Sequence, residues 1–505
     1  MGKLRRALPV AALVGLCALI LSLRLHTYSE PLERDLTSYA VIAHEMLNGK
    51  NLYSDLWDHK PPAIHVAYAA AELIAGYGRN SIILMNVVAA IATLLACYFA
   101  GSAGGRGPLA GLIAATLWTL ASGDLAIEGN QPNTEVFLNV LLTTAFVVFA
   151  RAEKNRIGFG GALLVGVLFA LASFYKQIVI LQAALISVAY LFCVESQLRK
   201  KALLEIILIA FIGASAWALL FGYFFVDGRG YTFIEAVFTY NRWYSAHPPR
   251  DLNDLWNFRG LSPDALVIMF SMAALALIGL IVGLKICPRR GWLLLVALAI
   301  ATYITVQLPG WFFPHYYQLW LPPLVIGAGW TVELLGRILP QRFSWSSYAL
   351  AGVCCAVLVM METPSYLTPA KSWSTQKYGG IFLEAEQLAA KIDNLLPADA
   401  SLYEWGNETG FYFTTRREPP SGLIFAYPLQ AGPLAPKLSW QLLRDLNKRR
   451  PELVVAANLT MSLTPEHPVA KWIKANYRLL WRTNSFAVMV RKGGELDRTQ
   501  PIAAN

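Results

Sequence analysis

The segment "PPAIHVAYAAAELIAGYG" (residues 61–78) decides how the rest of the chain is arranged. It is apolar enough to suggest a membrane helix, but it opens on two prolines and carries His65 and Glu72. Eleven other apolar stretches fall near 7–23, 80–101, 108–123, 135–151, 157–175, 177–194, 202–226, 262–285, 291–308, 318–338 and 345–362. Each is long enough to span a bilayer as a helix. If 61–78 does not cross, Lys3, Arg5, Arg6, Arg106, Arg151, Lys154, Arg156, Arg199, Lys200, Lys201, Lys285, Arg289, Arg290, Arg337 and Arg342 all fall on one side. That is the positive-inside pattern of cytoplasmic loops. If it does cross, "RAEKNR" (151–156), "RKK" (199–201) and "PRR" (288–290) face outward instead. The charges therefore predict about eleven crossings, with 61–78 lying along or dipping into the outer interface. The N-terminus is then cytoplasmic and the C-terminal residues lie outside.

Composition agrees with a polytopic α-helical membrane protein. The 505 residues are 56% hydrophobic and 15% charged, with a mean hydropathy of +0.45, which is too apolar for an ordinary soluble chain. The net charge of +10 is accounted for by the basic loops, and no nucleic-acid partner is expected. Cys17, Cys97, Cys193, Cys287, Cys354 and Cys355 lie in or beside apolar segments without a CxxC pair. They read as small buried hydrophobes rather than a disulfide framework. The start "MGKLRRALPVAALVGLCALILSL" has a basic end and an apolar core without a cleavage site. It reads as an uncleaved signal-anchor and first transmembrane helix.

The chemically varied loops then share the outer side: 24–79, "GDLAIEGNQPNTE" (123–135), the aromatic 227–260 and "PGWFFPHYYQ" (309–318). Any site belongs there. Beyond the last span the composition turns polar. "GGIFLEAEQLAAKIDNLL" (379–396) puts Ile381, Ala385, Leu388, Ile392 and Leu395 on one helical face. "SLYEW" and "ELVVAA" read as strands, "YRLLWRTNSFAVMV" as a hairpin turning at Thr483–Ser485, and a helix is expected near 438–449. The expectation is a transmembrane domain over 1–362 and a small extracytoplasmic α/β domain over 363–505.

Several outer residues admit both a structural and a chemical role. In "RDLTSYAVIAHEML" an amphipathic interfacial helix is expected from Leu36 to Leu47. Asp35 stands at its N-cap, either closing the helix or acting as a general base. Glu135 opens a transmembrane helix, where a carboxylate is favoured by the helix terminus; with Glu128 it could orient an acceptor hydroxyl or bind a metal. Lys60 in "DHKPP" either snorkels or meets a lipid phosphate. Arg229, Arg242, Arg250 and Arg259 stand among aromatics including Tyr240, Trp243 and Trp256. This is either an interface belt or a phosphate site with a sugar stacked nearby. His315 in "WFFPHYYQLWLPP" is structural or substrate-binding, and Lys176 falls at the outer end of its helix. No HExxH, His/Cys cluster, Walker loop or dinucleotide fingerprint is present.

Taken in order, these motifs resemble the membrane-embedded GT-C glycosyltransferases that use polyprenyl-phosphate sugars, in particular bacterial family-39-like enzymes. Lipid A aminoarabinose transferases and protein O-mannosyltransferases are more distant. "DLTSYAVIAHEML" fits a D-x-x-x-Y-A-x-x-x-x-E-M-L pattern through Asp35, Tyr39, Ala40, Glu45, Met46 and Leu47. Lys60–Pro61, Glu135, "TYNRWY" around Arg242 and "PHYYQLWLPPL" continue the likeness over roughly residues 1–340. Leu36 stands where several relatives have a second acid, and His59 where relatives often carry one, which leaves the sugar and any divalent metal open. The resemblance implies a GT-C-like fold with juxtamembrane helices and an inverting transfer in the cell (inner) membrane. Asp35 would be the catalytic base. Lys60 and Arg242 would neutralise the departing phosphate, and Glu135 would position the acceptor. His59, Tyr39 and His315 would bind substrate. The partners would be a polyprenyl-phosphate-sugar donor, membrane lipids, and a glycan, lipid or protein acceptor; no cofactor is called for. The competing reading is a transporter or flippase of lipid-linked substrates. Transporters place charges within broken helices at mid-membrane, and these spans hold few central charges.

Overall fold

The computed structural model describes residues 2–152, 155–245, 263–286 and 290–498. Arg250, Trp256 and Arg259 of the aromatic outer segment, together with Cys287, lie outside the described residues. The chain separates into two compact units. Unit 1 comprises Met1–Tyr28, Ile83–Gly222 and Ser245–Pro369; unit 2 comprises Ser29–Ile82, Tyr223–Tyr244 and Ala370–Asn505.

In chain order the first helices are α1 (Gly2–His26), α2 (Arg34–Leu47), α3 (Ala63–Ala75), α4 (Arg79–Gly101), α5 (Pro108–Ala121), α6 (Thr134–Arg151), α7 (Gly158–Ser173), α8 (Val179–Cys193) and α9 (Arg199–Val226). Four further apolar helices follow at Pro263–Lys285, Gly291–Gln307, Leu321–Ile338 and Trp345–Leu367. Among the described residues, 7 helices are long and apolar enough to cross a membrane: those in Ala7–His26, Arg79–Gly101, Thr134–Arg151, Ser196–Val226, Pro263–Lys285, Pro314–Ile338 and Gln341–Leu367. The shorter α5, α7, α8 and Gly291–Gln307 occupy the remaining expected segments. The chain therefore has the helices of a multi-pass membrane protein. The stretch 61–78 becomes α3, of 13 residues. It is one of the shorter apolar helices, with α5, α7, α8 and Gly291–Gln307. It belongs to unit 2.

Close approach of helices holds unit 1 together. Leu321–Ile338 packs along both Pro263–Lys285 and α5. A side chain at Gly279 or Gly283 would collide with Thr331 or Trp292; small residues are what let membrane helices approach. Two basic residues are buried. Arg106, expected as a loop cation, lies over the Trp330 ring at 3.6 Å and donates to the Ala103 carbonyl at 2.9 Å. Arg24 bonds Asn86 and donates to the Ser122 carbonyl at 2.7 Å, tying α1 to α4 and to the end of α5. Cys17, Cys97, Cys193, Cys354 and Cys355 are free thiols.

Unit 2 contains a four-stranded sheet of order β1-β2-β4-β3, with β1 Leu402–Trp405, β2 Leu453–Ala457, β3 Tyr477–Arg482 and β4 Phe486–Arg491. The strands, the hairpin and the helix Ala435–Arg449 fall where the sequence places them. The parallel pairing of β1 with β2 is new; it requires the crossover that this helix supplies. The helix Ile381–Leu395 buries Ala385, Leu388 and Ile392 as expected, and Phe382 in addition. Residues 230–244, expected as loop, are helical, with a π-helical turn at Glu235–Tyr240. Phe233, Ala236, Val237 and Tyr240 are buried at i, i+3, i+4, i+7 spacing, so a helical period underlies the aromatic belt reading.

Glu404 is fully buried in β1. Burial, and then the neighbouring Glu408 charge, push its carboxyl well above the usual range. The folded state therefore holds a proton that the unfolded chain releases near pH 4. Stability should fall as pH rises from about 4 toward the folded value. Glu404→Gln cannot ionise, so its melting temperature is expected to exceed that of wild type at pH 8 and to vary less with pH. Thermal unfolding of the purified protein from pH 5 to 9 checks this; parallel profiles would show Glu404 ionised in the fold.

Candidate active site

In unit 2 the first turn of α2 carries two adjacent carboxylates with different partners. Glu33, not Asp35, is the N-cap: its side chain accepts from the amides of Asp35 at 2.8 Å and Leu36 at 3.2 Å. The expected capping role of Asp35 is thereby taken by its neighbour. Asp35 is half-buried and its carboxylate has no hydrogen bond or ion pair among the described residues. Every other acid from 30 to 72 is engaged. Glu30 pairs with Lys377 at 2.6 Å, Glu45 with Lys50 at 2.8 Å and Glu72 with His44 at 2.6 Å, while Asp55 accepts from the Asn51 amide at 2.8 Å.

Tyr39 follows Asp35 by four residues and so shares its helix face. Its hydroxyl is buried without a hydrogen-bond partner among the described residues. Burial, and then the charges of Asp35 and Asp58, hold that phenol well above its ordinary value, so it stays neutral. The Lys60 ammonium lies 5.6 Å from the Tyr39 ring centre and has no ion pair among the described residues. Lys60 is fixed through its backbone: Tyr53 Oη donates to its carbonyl at 2.7 Å, and its amide donates to Asp58 Oδ1 at 3.3 Å.

Asp58 is the organising anion. Its Oδ1 lies 3.1 Å from His59 Nδ1 and its Oδ2 lies 3.1 Å from His65 Nε2. Burial alone would push its carboxyl up, but the two imidazoles outweigh burial and hold it below the usual carboxylate range. Burial pushes His59 down against the pull of Asp58, leaving a neutral ring. Tyr427 Oη lies 2.7 Å from His59 Nδ1, and Tyr240, Tyr244 and Trp57 surround the ring. The His59 carbonyl accepts from Asn241 Nδ2 at 2.6 Å, which pins the short helix Asn241–Tyr244 carrying Arg242. Arg242 itself is exposed and has no carboxylate partner among the described residues. Arg229, grouped with it in the sequence, is buried against Asp227 and the Leu52 carbonyl and serves the fold.

Unit 1 holds a second polar group. Glu135, fully buried in the first turn of α6, accepts from Thr134 Oγ1 at 2.8 Å and pairs with Lys176. The Lys176 ammonium stands 3.7 Å over the Tyr316 ring. His315 Nδ1 lies 2.9 Å from Glu128 Oε2, and Gln318 Nε2 donates to the carbonyls of Ile127 and Glu128 at 3.0 Å. The segments bearing Glu128, Glu135, Lys176 and His315 thus converge within one unit. Among the described residues no group of three or more His, Cys, Asp or Glu side chains converges to hold a metal ion. Sequence reasoning quoted Asp58 without assigning it a role and missed Tyr427. The spacing D-H-K-P-P could have drawn attention to Asp58; nothing local marks Tyr427, which lies 368 residues from His59.

No family model matches the chain, and no curated protein matches it. Solved structures do. ArnT from Cupriavidus metallidurans, bound to undecaprenyl phosphate, aligns with TM-score 0.63 and 14% identity over 95% of this chain and 97% of that one. The oligosaccharyltransferase AglB from Archaeoglobus fulgidus, in complex with an inhibitory peptide and a dolichol-phosphate, gives 0.54 and 12% over 96% and 74%. The arabinofuranosyltransferase AftD from Mycobacteria gives 0.53 and 15% over 96% and 40%. The likeness is one of fold: the chain has the GT-C architecture of polytopic membrane helices, with a small C-terminal α/β sheet domain.

The two unit 2 carboxylates should respond differently to removal. Asp58→Ala strips the buried acceptor from two imidazoles and is expected to cost about 1–3 kcal/mol. Asp35→Asn removes no pairing and should stay within about 0.5 kcal/mol. Thermal unfolding of both variants checks the contrast; equal losses would mean Asp35 is a structural residue.

Proposed function

We propose that the chain is a glycosyltransferase that moves a sugar from a polyprenyl-phosphate donor to a hydroxyl of a cell-envelope glycolipid, polysaccharide or protein, with inversion at the anomeric carbon. The observation that carries this is the pair of unpaired opposite charges about Tyr39. Asp35 and Lys60 lack partners where every neighbouring carboxylate is engaged. The support from structural neighbours is that the ArnT structure is bound to undecaprenyl phosphate and the AglB structure is in complex with a dolichol-phosphate.

In this reading Asp35 takes the proton of the acceptor hydroxyl. The oxygen attacks the anomeric carbon, the carbon–oxygen bond to phosphate breaks, and its electron pair leaves with the lipid phosphate. Lys60 and Arg242 meet the developing charge as preorganised cations. Tyr39 offers a neutral hydroxyl donor, and His59, fixed by Asp58 and Tyr427, presents a neutral ring for substrate. The Glu135–Lys176 pair and His315 of unit 1 are assigned to acceptor binding. Residues 363–505 are assigned to the outer, periplasmic side and the N-terminus to the cytoplasm.

The test uses purified, inserted protein, a panel of radiolabelled polyprenyl-phosphate sugars and a crude envelope fraction as acceptor. Transfer by wild type is expected to fall by roughly two decades or more in Asp35→Asn. Donor-phosphate binding should weaken in Lys60→Ala. Movement of the labelled lipid across vesicles with no transfer would favour the flippase reading, and equal transfer by wild type and Asp35→Asn would remove Asp35 from the chemistry.

A further inference from the structure

Unit 2 contains a cavity of about 200 Å³ that none of the site residues above lines. Its wall includes Phe382 and Glu386 of the helix Ile381–Leu395, Phe413 and Thr414 of the short helix Gly410–Thr415, and Glu408 and Arg416. The volume lies below the roughly 300–1,000 Å³ of pockets for drug-sized ligands and suits a single sugar ring rather than a lipid chain. The lining has the chemistry of carbohydrate recognition. Two phenyl groups offer apolar surface to the C–H face of a pyranose. Two carboxylates retain lone pairs for ring hydroxyls, since each has about four acceptor positions.

The charges narrow the ligand. Glu386 is paired with Arg79, and Glu408 with Arg34 at 3.3 Å, so these four groups cancel. Arg416 is left over: it donates to the Tyr77 carbonyl at 3.4 Å and has no carboxylate partner among the described residues. Arg416 ends the helix Gly410–Thr415 in a left-handed cap at φ +54°, a common way for a helix to stop. A guanidinium there matches a carboxylate or phosphate oxygen pair.

Thr37 of α2 also lines the cavity. Asp35 lies two residues earlier, about 200° around the helix. The cavity therefore opens on the face of α2 opposite Asp35, with a helix about 10–12 Å thick between them. We propose that this cavity is a glycan-binding subsite for an acidic sugar residue, with Arg416 taking its anionic group and Phe382 and Phe413 its ring. The proposal rests on the transferase reading for its consequence: the acceptor is a glycan of at least two residues, gripped away from its reacting hydroxyl.

Two substitutions leave the Asp35 face untouched. Arg416→Gly removes the charge at a φ that glycine adopts without strain, and Thr414→Trp fills the cavity. Full-length labelled protein in detergent is applied to an array of immobilised bacterial surface glycans with acidic and neutral members. Wild type is expected to bind acidic members preferentially, Arg416→Gly to lose that binding at least about tenfold, and Thr414→Trp to lose binding altogether. No binding by wild type, equal binding of neutral glycans, or binding unchanged in both variants overturns the subsite. The array needs no transfer reaction. Retained binding without sugar transfer in the donor assay would overturn the transferase reading alone, and transfer without array binding the subsite alone.

Discussion

The Asp58 carboxylate between two imidazoles is the interaction around which unit 2 is arranged. A buried anion must be paired or it is neutralised. His59 and His65 approach its two oxygens at 3.1 Å each, and meeting that demand fixes everything attached to them. His65 is anchored in α3. His59 takes Tyr427 on its ring and Asn241 on its carbonyl. Lys60, next in the chain, is carried to the Tyr39 ring. Segments 52–60, 230–244 and 423–427 then enclose His59 with aromatic rings. Asp58 thus positions the polar groups on either side of it.

The local parts of this arrangement were legible in the sequence because they depend on periodicity. The apolar helices, the helix Ile381–Leu395 and the hairpin β3–β4 each carry their own repeat. What the sequence did not disclose depends on contacts between distant segments or on a choice between near-equal neighbours. Glu33 and Asp35 are both carboxylates at the mouth of α2, and which of them caps depends on backbone angles: Glu33 is extended at φ −75° and ψ 169°. Arg106 reads as a loop cation because composition cannot foresee a Trp330 face. The helix at 230–244 was hidden by its aromatics, which suit a membrane belt and a helix core equally well.

The same division explains how solved structures at 12–15% identity share the fold. A membrane helix needs only apolarity and small residues at close crossings, so many sequences satisfy it. Function requires particular side chains at particular places, and fold-level likeness does not carry them across. Any chemistry of this chain must come from its own polar groups.

Those groups are unevenly treated. Unit 2 pairs or caps nearly every carboxylate it encloses, and Glu404, the deeply buried exception, is held protonated rather than left as a bare charge. Around Tyr39 the rule is suspended. A half-buried carboxylate, an ammonium and a buried hydroxyl share one side of α2 without partners among the described residues. A buried hydroxyl alone without a hydrogen bond costs about 1–3 kcal/mol, a sizeable part of a typical domain's stability. Packing could have removed the cost with a phenylalanine at 39. Natural sequences break such local rules mainly where a site needs them broken. Asp35 and Tyr39 sit on a helix whose first turn is locked by the Glu33 cap and whose far end is tied to α3 through His44 and Glu72, and Lys60 is brought to them by the segment that precedes α3. Unsatisfied polar groups on a rigid element are the condition for binding a polar ligand without prior rearrangement, and this favours the proposed role of Asp35 over the better-paired acids nearby.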